Sequence, residues 1–181
     1  KKETICFAGV GIGGPSCIIC FFELSQCGVK IFLRVGTAGI INSKISPGEL
    51  VIPNTAINNS SIPKFLIKNN EKIIPNKSLA EKLFLTAFKL GYKRHCGAVL
   101  SKDFLYIEGK QGFPLKNKYK NYLKKLKKNA IVTDMECATL FAFGKYLNYK
   151  TAAVLTAIDE DKQTSILGQK RALRVALEAL L

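Results

Sequence analysis

The sequence predicts an α/β protein of one domain, spanning residues 1–181, with a three-layer α/β/α sandwich around a central mixed sheet. Strand-like and helix-like stretches alternate from one end of the chain to the other, as expected when helices pack on a mostly parallel or mixed sheet. A length of 181 residues with 48% hydrophobic content is enough to bury one sizeable core. The strongly apolar residues 151–158 suit a strand covered on both faces.

Turn residues and hydrophobic periodicity set the predicted elements. Residues 4–10 read as a strand that a glycine-rich turn at residues 11–14 ends, and Gly28 stops the helix that follows. Residues 54–76 are rich in Asn, Lys, Ser and Pro without periodicity, so we expect a loop there. The remaining predicted elements are strands at residues 30–35, 49–52, 95–100, 131–133 and 151–158, and helices at residues 15–26, 78–90, 116–129, 136–146 and from 168 onward.

The chain is strongly basic, with a formal net charge of +15. Much of the lysine lies in residues 116–129, where Tyr119, Leu123 and Leu126 recur at helical spacing, which is typical of an amphipathic surface helix. A basic surface attracts nucleic acid or anionic membranes. Lysine, asparagine and isoleucine are abundant throughout, so a compositional bias accounts for the charge, and we do not expect nucleic acid as the main partner. No run approaches the roughly 20 apolar residues that span a bilayer, so no membrane segment is predicted.

Six cysteines are scattered through apolar stretches, as buried thiols in a reducing compartment would be, and we expect a cytoplasmic protein. Cys17 and Cys20 form a C-x-x-C that could be a redox pair or half a zinc site. No second such pair completes it, and His95 is the only histidine, so we predict two cysteines on a packed helix and no bound metal.

Residues 9–14 fit the pattern G-x-G-x-x-G between a strand and a helix, which in dinucleotide-binding folds cradles a pyrophosphate. Such folds carry a ribose-binding acid at the end of the next strand, whereas this strand carries Arg34. We therefore predict no redox cofactor.

Read as a longer unit, residues 11–16 and 32–39 closely resemble the nucleoside phosphorylase superfamily, and its uridine phosphorylases in particular. The purine nucleoside phosphorylases are also similar. The resemblance continues through residues 47–52, 101–106 and 134–140 and through the final strand and helix. It implies that the chain cleaves a nucleoside to free base and ribose 1-phosphate, with inorganic phosphate as co-substrate and no cofactor.

A phosphate site is predicted at the end of the second strand. Arg34 offers a charged fork, while Gly36 and Thr37 offer unblocked backbone donors and a hydroxyl. An arginine inside an otherwise apolar strand needs an anionic partner, which favours phosphate. The alternative is that Arg34 only caps a strand at the surface.

The resemblance assigns the ribose to Glu136 and Met135, Glu136 to the hydroxyls and Met135 to the apolar face of the sugar. A carboxylate can accept two hydroxyl hydrogen bonds, so the chemistry is sound. Asp134 stands where the family usually has a glutamate. The alternative for Glu136 is a carboxylate favoured by the dipole at a helix N-terminus.

The base site has two readings. Uridine phosphorylases place an aromatic ring over the base and a glutamine with an arginine two residues later at its edge. Here Leu105 stands at the ring position with Phe104 displaced by one, Gln111 resembles the glutamine, and Phe113 stands in place of the arginine. Purine enzymes use an aspartate at the end of the late strand to protonate the leaving base, and Asp159 corresponds to it. Asp159 could equally be a turn residue or a helix cap.

In the family, further strands and a phosphate-binding Gly-Asp-Pro-x-x-Arg segment precede the position of Thr4, and this sequence does not contain them. Two alternatives follow: these strands belong to a longer protein, or phosphate binding is impaired. Related enzymes complete the site with residues of a neighbouring subunit, which implies a homo-oligomer, with a dimer as its unit and a hexamer as the larger assembly. A more distant alternative is a basic nucleotide- or RNA-binding protein without catalysis.

Overall fold

The computed structural model describes residues 4–69, 71–105, 116–159 and 162–181, with backbone only for residues 162–165. The described elements in chain order are α1 (Gly14–Gln26), β1 (Ile31–Ile40), β2 (Leu50–Asn59), α2 (Pro63–Leu66), α3 (Lys77–Lys89), β3 (Arg94–Lys102), α4 (Asn117–Lys127), β4 (Val132–Asp134), α5 (Cys137–Leu147), β5 (Lys150–Ile158) and α6 (Lys162–Leu180). Within these residues no helix is both long and apolar enough to cross a bilayer.

The five strands form one mixed sheet in the order β1-β4-β3-β2-β5, and the sheet closes into a barrel because β5 also pairs with β1. The pairs β1–β5, β2–β3 and β3–β4 are parallel, whereas β1–β4 and β2–β5 are antiparallel. The predicted α/β class and mixed sheet are confirmed. The closure itself was not predicted, since the flat central layer of a sandwich has two free edges.

Two groups of helices cover the sheet on different sides, which agrees with the predicted layers. Along β5, Ala153 and Leu155 belong to a core shared with α1 and α5, while Ala152 and Val154 belong to a second core shared with α3 and α6. Successive side chains of a strand point to opposite faces, so this alternation places β5 between two apolar layers. The continuous hydrophobic run of this strand follows from burial on both faces.

The structure corrects three predictions from the sequence. Residues 4–10 are not a strand, because alternating apolar residues form a strand only when a neighbour pairs with their backbone, and no described strand does. The predicted loop at residues 54–76 begins with the second half of β2, which passes Pro53 through a register shift. Such an irregularity accommodates a residue without an N–H donor. The helix predicted from residue 78 begins earlier, as α3 at Lys77, because Asn76 caps it by accepting a hydrogen bond from the Leu79 N–H at 3.1 Å.

A small charged cluster lies where β2 begins. The Glu49 carboxylate accepts hydrogen bonds from the Ser46 N–H at 3.0 Å and from His95 Nε2 at 2.7 Å, and it lies 3.5 Å from Lys93 Nζ. Burial raises the pKa of Glu49, but these three partners outweigh burial and hold the pKa below its ordinary value of 4.5.

Glu49→Gln is expected to lower the free energy of unfolding by about 1 kcal/mol at pH 7. A carboxyl group with a lowered folded-state pKa stabilises the protein above its unfolded pKa, and this contribution is lost as the pH falls through the folded value. The difference between the two proteins should therefore persist down to about pH 4.5 and shrink below it, as urea unfolding at pH 7 and pH 3.5 would measure. The control Glu81→Gln breaks only an exposed pair with Lys77 and should change little at either pH. An equal effect of both substitutions would show that the Glu49 cluster is not stabilising.

Candidate functional site

Arg34 lies in β1 with its side chain only 13% exposed. Gly36, two residues later on the same face of the strand, makes room for it, because a Cβ at Gly36 would clash with the guanidinium group. Arg34 Nη2 also donates a long hydrogen bond, 3.5 Å, to the carbonyl oxygen of Thr37. The Arg-x-Gly-Thr sequence thus folds the guanidinium along its own strand. The prediction that Gly36 and Thr37 follow the strand end with unblocked backbone donors is wrong, because β1 continues to Ile40 and pairs both residues with β5.

Two carboxylates hold the Arg34 guanidinium. Its Nε lies 3.3 Å from Asp134 Oδ2 and its Nη2 lies 2.5 Å from Glu136 Oε2, with both acidic side chains almost fully buried. Burial lowers the pKa of Arg34, but the attraction of Asp134 and Glu136 outweighs it, so the pKa is raised above its ordinary value. The predicted anionic partner of this arginine is therefore supplied within the chain, and the three groups together carry a net charge of −1.

The Glu136 carboxylate joins the start of α5 to the glycine-rich turn before α1. Its Oε1 accepts a hydrogen bond from the Gly13 N–H at 2.7 Å, and its Oε2 accepts one from the Met135 N–H at 3.3 Å. Gly13 has φ +87°, a conformation that glycine adopts without strain. Glu136 occupies the N-cap position of α5, but its side chain makes no capping hydrogen bond there. The carboxylate therefore serves the cluster rather than the helix end.

Asp134, which the sequence reasoning noted only as a shortened glutamate, is a central member of the cluster. Its Oδ1 accepts from the Ser101 hydroxyl at 2.6 Å, and its Oδ2 accepts from the Cys137 N–H at 2.9 Å. Ser101 Oγ in turn accepts from the Ala138 N–H at 3.0 Å. Ser101 and Asp134 are register partners in the parallel strands β3 and β4. Polar residues that end adjacent strands were the signal available in the sequence.

Met135 is half-buried, and its Cε lies 3.8 Å from the position that a Cβ of Gly13 would occupy. The predicted ribose residues and the glycine-rich turn therefore meet at Arg34. Phe104 and Leu105 follow β3 and are 38% and 50% exposed. They lie beyond the strand end that carries Ser101. The predicted Gln111 lies outside the described residues.

Asp159 is exposed and directly follows β5. The register pairs Arg34 with Ala153 and Gly39 with Ile158, so Asp159 lies beyond the far end of the same stretch of β1. Five residues at about 3.3 Å each put Arg34 about 17 Å from Gly39 along the strand. In the described part of the chain no hydrogen bond links Asp159 to Arg34 or Glu136. The Arg34 side chain covers part of this distance, because its guanidinium lies over Gly36 and reaches the Thr37 carbonyl oxygen. Since β4 pairs with β1 at Gly39 and Thr133, the charged cluster lies towards the same end of β1 as Asp159.

The cysteines of the predicted helix are free thiols, and Cys17 is fully buried near the cluster. Burial, with the charge of Glu136 adding to it, raises the pKa of Cys17 from 9.0 to about 12. Burial likewise raises the pKa values of Cys20 and Cys137. In the described ranges no group of three or more His, Cys, Asp or Glu side chains is placed to hold a metal ion.

The thiols should therefore differ sharply in reactivity. Cys6, Cys27 and Cys96 are exposed and are expected to react with an aromatic disulfide reagent at pH 8 within minutes, whereas Cys17 and Cys137 should react only on unfolding. Mass spectrometry of peptides after timed labelling measures this order. Labelling of Cys17 as fast as Cys27 in the folded protein would contradict the buried placement of α1.

The chain belongs to the phosphorylase superfamily, whose sequence profile matches residues 1–180. It is 30% identical over 169 residues to a uridine phosphorylase of Haemophilus influenzae, covering 91% of this chain and 67% of that protein. It is 31% identical over 198 residues to a DeoD-type purine nucleoside phosphorylase of Streptococcus pyogenes serotype M12, covering 100% of this chain and 77% of that protein. These relatives are nucleoside phosphorylases, a class of pentosyltransferase, and the predicted family is confirmed.

The fold agrees with a solved structure as well. A crystal structure of purine nucleoside phosphorylase from Toxoplasma gondii in complex with immucillin-H superposes with a TM-score of 0.82 at 21% sequence identity. The match covers 94% of this chain and 70% of that chain. This likeness supports the α/β fold described above.

Proposed function

We propose that this chain is a nucleoside phosphorylase that converts a nucleoside and inorganic phosphate into free base and ribose 1-phosphate without a further cofactor. The observation that carries the proposal is the meeting of Arg34, Glu136 and Met135 beside the glycine-rich turn, in a chain whose relatives are nucleoside phosphorylases. Three segments far apart in the sequence converge there.

In the reaction a phosphate oxygen attacks C1′ of the ribose, the bond from C1′ to the base nitrogen breaks, and its electron pair leaves with the base. Arg34 is the proposed ligand of the phosphate, with the Thr37 hydroxyl as a further donor and Gly36 making room for the guanidinium group. The Arg34 guanidinium is already paired with two carboxylates, whose negative charges would repel a phosphate dianion. Phosphate therefore binds only if one of the two carboxylates moves away. We assign that movement to Glu136, because Asp134 is fixed by Ser101 and by the start of α5.

Glu136 would then exchange Arg34 for the hydroxyl groups of the sugar, which donate to its two oxygens. Met135 would cover the apolar face of the ribose from its position over Gly13. The exchange leaves the carboxylate with partners at every stage, as a buried charge requires.

For the base we propose uracil, with Phe104 and Leu105 against the ring and Gln111 at its polar edge. Two relatives support this choice: the Haemophilus influenzae uridine phosphorylase, and a uridine phosphorylase of Thermococcus kodakarensis that is 29% identical over 189 residues, 99% of this chain and 67% of that protein. The second candidate is a purine, favoured by the DeoD-type relatives and by the position of Asp159 at the end of β5. There Asp159 would donate a proton to the leaving base.

We further propose a cytoplasmic homo-oligomer built from dimers, with a hexamer as the full assembly. The described cysteines are all free thiols, which suits a reducing compartment. A neighbouring subunit could supply the additional positive charge that a phosphate dianion needs beside this net-negative cluster. Sedimentation velocity would measure the assembly directly.

The proposed activity is tested by release of free base from uridine, inosine and adenosine, followed by chromatography with and without phosphate. Phosphorolysis predicts base release and ribose 1-phosphate only when phosphate is present. Base release at the same rate without phosphate would indicate a hydrolase. No release from any of the three nucleosides would favour a basic nucleotide- or RNA-binding protein without catalysis.

Asp159→Asn separates the two candidate substrates. If the enzyme acts on purines, the substitution removes the proton donor and should lower kcat on inosine by roughly 10²-fold. If it acts on uridine, Asp159→Asn should be nearly silent and Gln111→Ala should reduce kcat/KM instead, because uracil leaves as an anion that needs donors at its carbonyl oxygens. Activity on inosine that collapses in Asp159→Asn, with none on uridine in the unsubstituted protein, would overturn the choice of uracil.

A further inference from the structure

The helix α4 and its flanks form the most concentrated charge on the molecule. Residues 116–129 contain seven lysines and no aspartate or glutamate. The segment therefore supplies +7 of the formal net charge of +15. Neighbouring lysines on one helix repel one another, which costs stability unless a polyanion compensates them.

The structure presents this charge to solvent. Leu123 is 4% exposed and anchors α4 to the body of the protein, whereas Lys118, Lys124, Lys125 and Lys128 are exposed. At about 100° per residue, these four lysines lie within a sector of about 120° on the outer side of the helix. Over the described ranges no carboxylate forms an ion pair with any of the four.

Some lysines elsewhere on the chain have carboxylate partners, whereas others, such as Lys64 and Lys82, are exposed without an ion pair in the described residues. Lys93 and Lys145 lie 3.5 and 2.8 Å from the carboxylates of Glu49 and Glu71. The outer face of α4 differs from these places because it gathers, in one short segment, four exposed lysines that have no carboxylate partner in the described part of the chain.

Two exposed tyrosines lie beside the lysine sector, Tyr122 about 40° and Tyr119 about 100° around the helix from Lys118. Tyr119 is 58% exposed and Tyr122 is 47% exposed, and residues three apart on a helix are neighbours. An aromatic ring at the edge of a lysine-rich face suits a single-stranded nucleic acid, whose phosphates pair with the cations while a base stacks on the ring. A helix that lies on a membrane must instead turn its apolar face outward, and here Leu123 is buried in the protein.

We propose that α4 is a binding site for single-stranded nucleic acid, in which Lys118, Lys124, Lys125 and Lys128 contact phosphates and Tyr122 stacks on a base. The contacts are to backbone and ring faces, so binding is insensitive to sequence. None of these residues belongs to the proposed phosphorolytic site. This proposal does not depend on whether the chain has nucleoside phosphorylase activity.

The test uses fluorescence anisotropy with a fluorescein-labelled oligo(dT) of 15 nucleotides and the full chain. Four phosphate contacts predict a slope of about −2.8 in the dependence of log affinity on log salt, which is a loss of about 50-fold between 50 and 200 mM. The variant carrying Lys118→Gln, Lys124→Gln, Lys125→Gln and Lys128→Gln should bind at least tenfold more weakly at 50 mM, with a slope close to zero. A matched control changes the exposed Lys64, Lys82, Lys89 and Lys170 to Gln and should keep the slope.

Tyr122→Leu tests the stacking contact separately. It should weaken binding of oligo(dT) about fivefold or more while leaving the salt slope and the affinity for an abasic strand of equal length unchanged. The proposal is overturned if the unsubstituted chain does not bind oligo(dT) at 50 mM salt, or if the control lysine variant loses as much affinity as the α4 variant. Binding to vesicles of phosphatidylcholine with 30% phosphatidylserine, without binding to oligo(dT), would show a membrane surface instead and would also overturn it.

Discussion

Replacing Arg34 with methionine is expected to remove phosphorolysis and to destabilise the fold together. The loss of the phosphate ligand should lower kcat/KM by roughly 30- to 1000-fold, equivalent to about 2 to 4 kcal/mol of transition-state stabilisation. Asp134 and Glu136 would remain buried without their countercharge, which typically costs about 3 to 5 kcal/mol. Steady-state kinetics at varied phosphate concentration and urea unfolding measure the two effects separately.

The double variant Arg34→Met with Glu136→Gln distinguishes these effects. Removing one of the two uncompensated carboxylates should restore part of the free energy of unfolding, while phosphorolysis stays lost. If Arg34→Met left the dependence of rate on phosphate unchanged, Arg34 would not be the anion ligand. If it left unfolding unchanged, the ion cluster would not stabilise the fold.

Glu136→Gln is expected to reduce kcat/KM at least tenfold more on uridine than on 2′-deoxyuridine, on the scale of one hydrogen bond between a charged group and a hydroxyl. The amide keeps an oxygen that can accept from the Gly13 N–H, so the turn before α1 should stay in place. The amide lacks the negative charge that pairs with Arg34, and it has one acceptor oxygen for the sugar hydroxyls where the carboxylate has two. The ratio between the two substrates is the measurement, because it cancels any general loss of active protein.

Asp134→Asn is the matched control for Glu136→Gln. It removes one negative charge beside the same guanidinium group, but Asp134 faces Ser101 and the start of α5 rather than the proposed sugar site. Equal losses on uridine and 2′-deoxyuridine are therefore expected. Equal losses in Glu136→Gln as well would identify Glu136 as a structural partner of Arg34 with no contact to the ribose.

Local patterns in the sequence predicted most helices and several strands, because periodicity and turn residues act over a few positions. The helix from Pro15 is observed as α1, and the glycine that was predicted to stop it, Gly28, has φ +89°. The second half of β2 was not predicted because a proline, here Pro53, normally argues against a strand. Only the pairing with β3 shows that a register shift accommodates it. Strand formation depends on a neighbour, and the sequence does not show which neighbour is present.

The candidate site was also predicted only in part from the sequence. An arginine inside an apolar strand predicted an anionic partner for Arg34, and this inference came from the cost of burying an unpaired charge. The identity of that partner depended on topology: the register of β3 with β4 brings Ser101 to Asp134, and both lie far from Arg34 in the sequence. Resemblance to the family located Glu136 and Met135 but assigned them only to substrate. The structure adds the contacts that they make with each other and with the glycine-rich turn.

The shared position of Glu136 between Arg34 and Gly13 makes the two substrates thermodynamically linked. A sugar that draws the carboxylate away uncovers a cation, so nucleoside binding should tighten phosphate binding, and reciprocity requires phosphate to tighten nucleoside binding by the same factor. Such positive cooperativity within one site needs no second binding site and no subunit rotation. It would disfavour half-filled complexes and so limit the time that an activated sugar spends without its nucleophile.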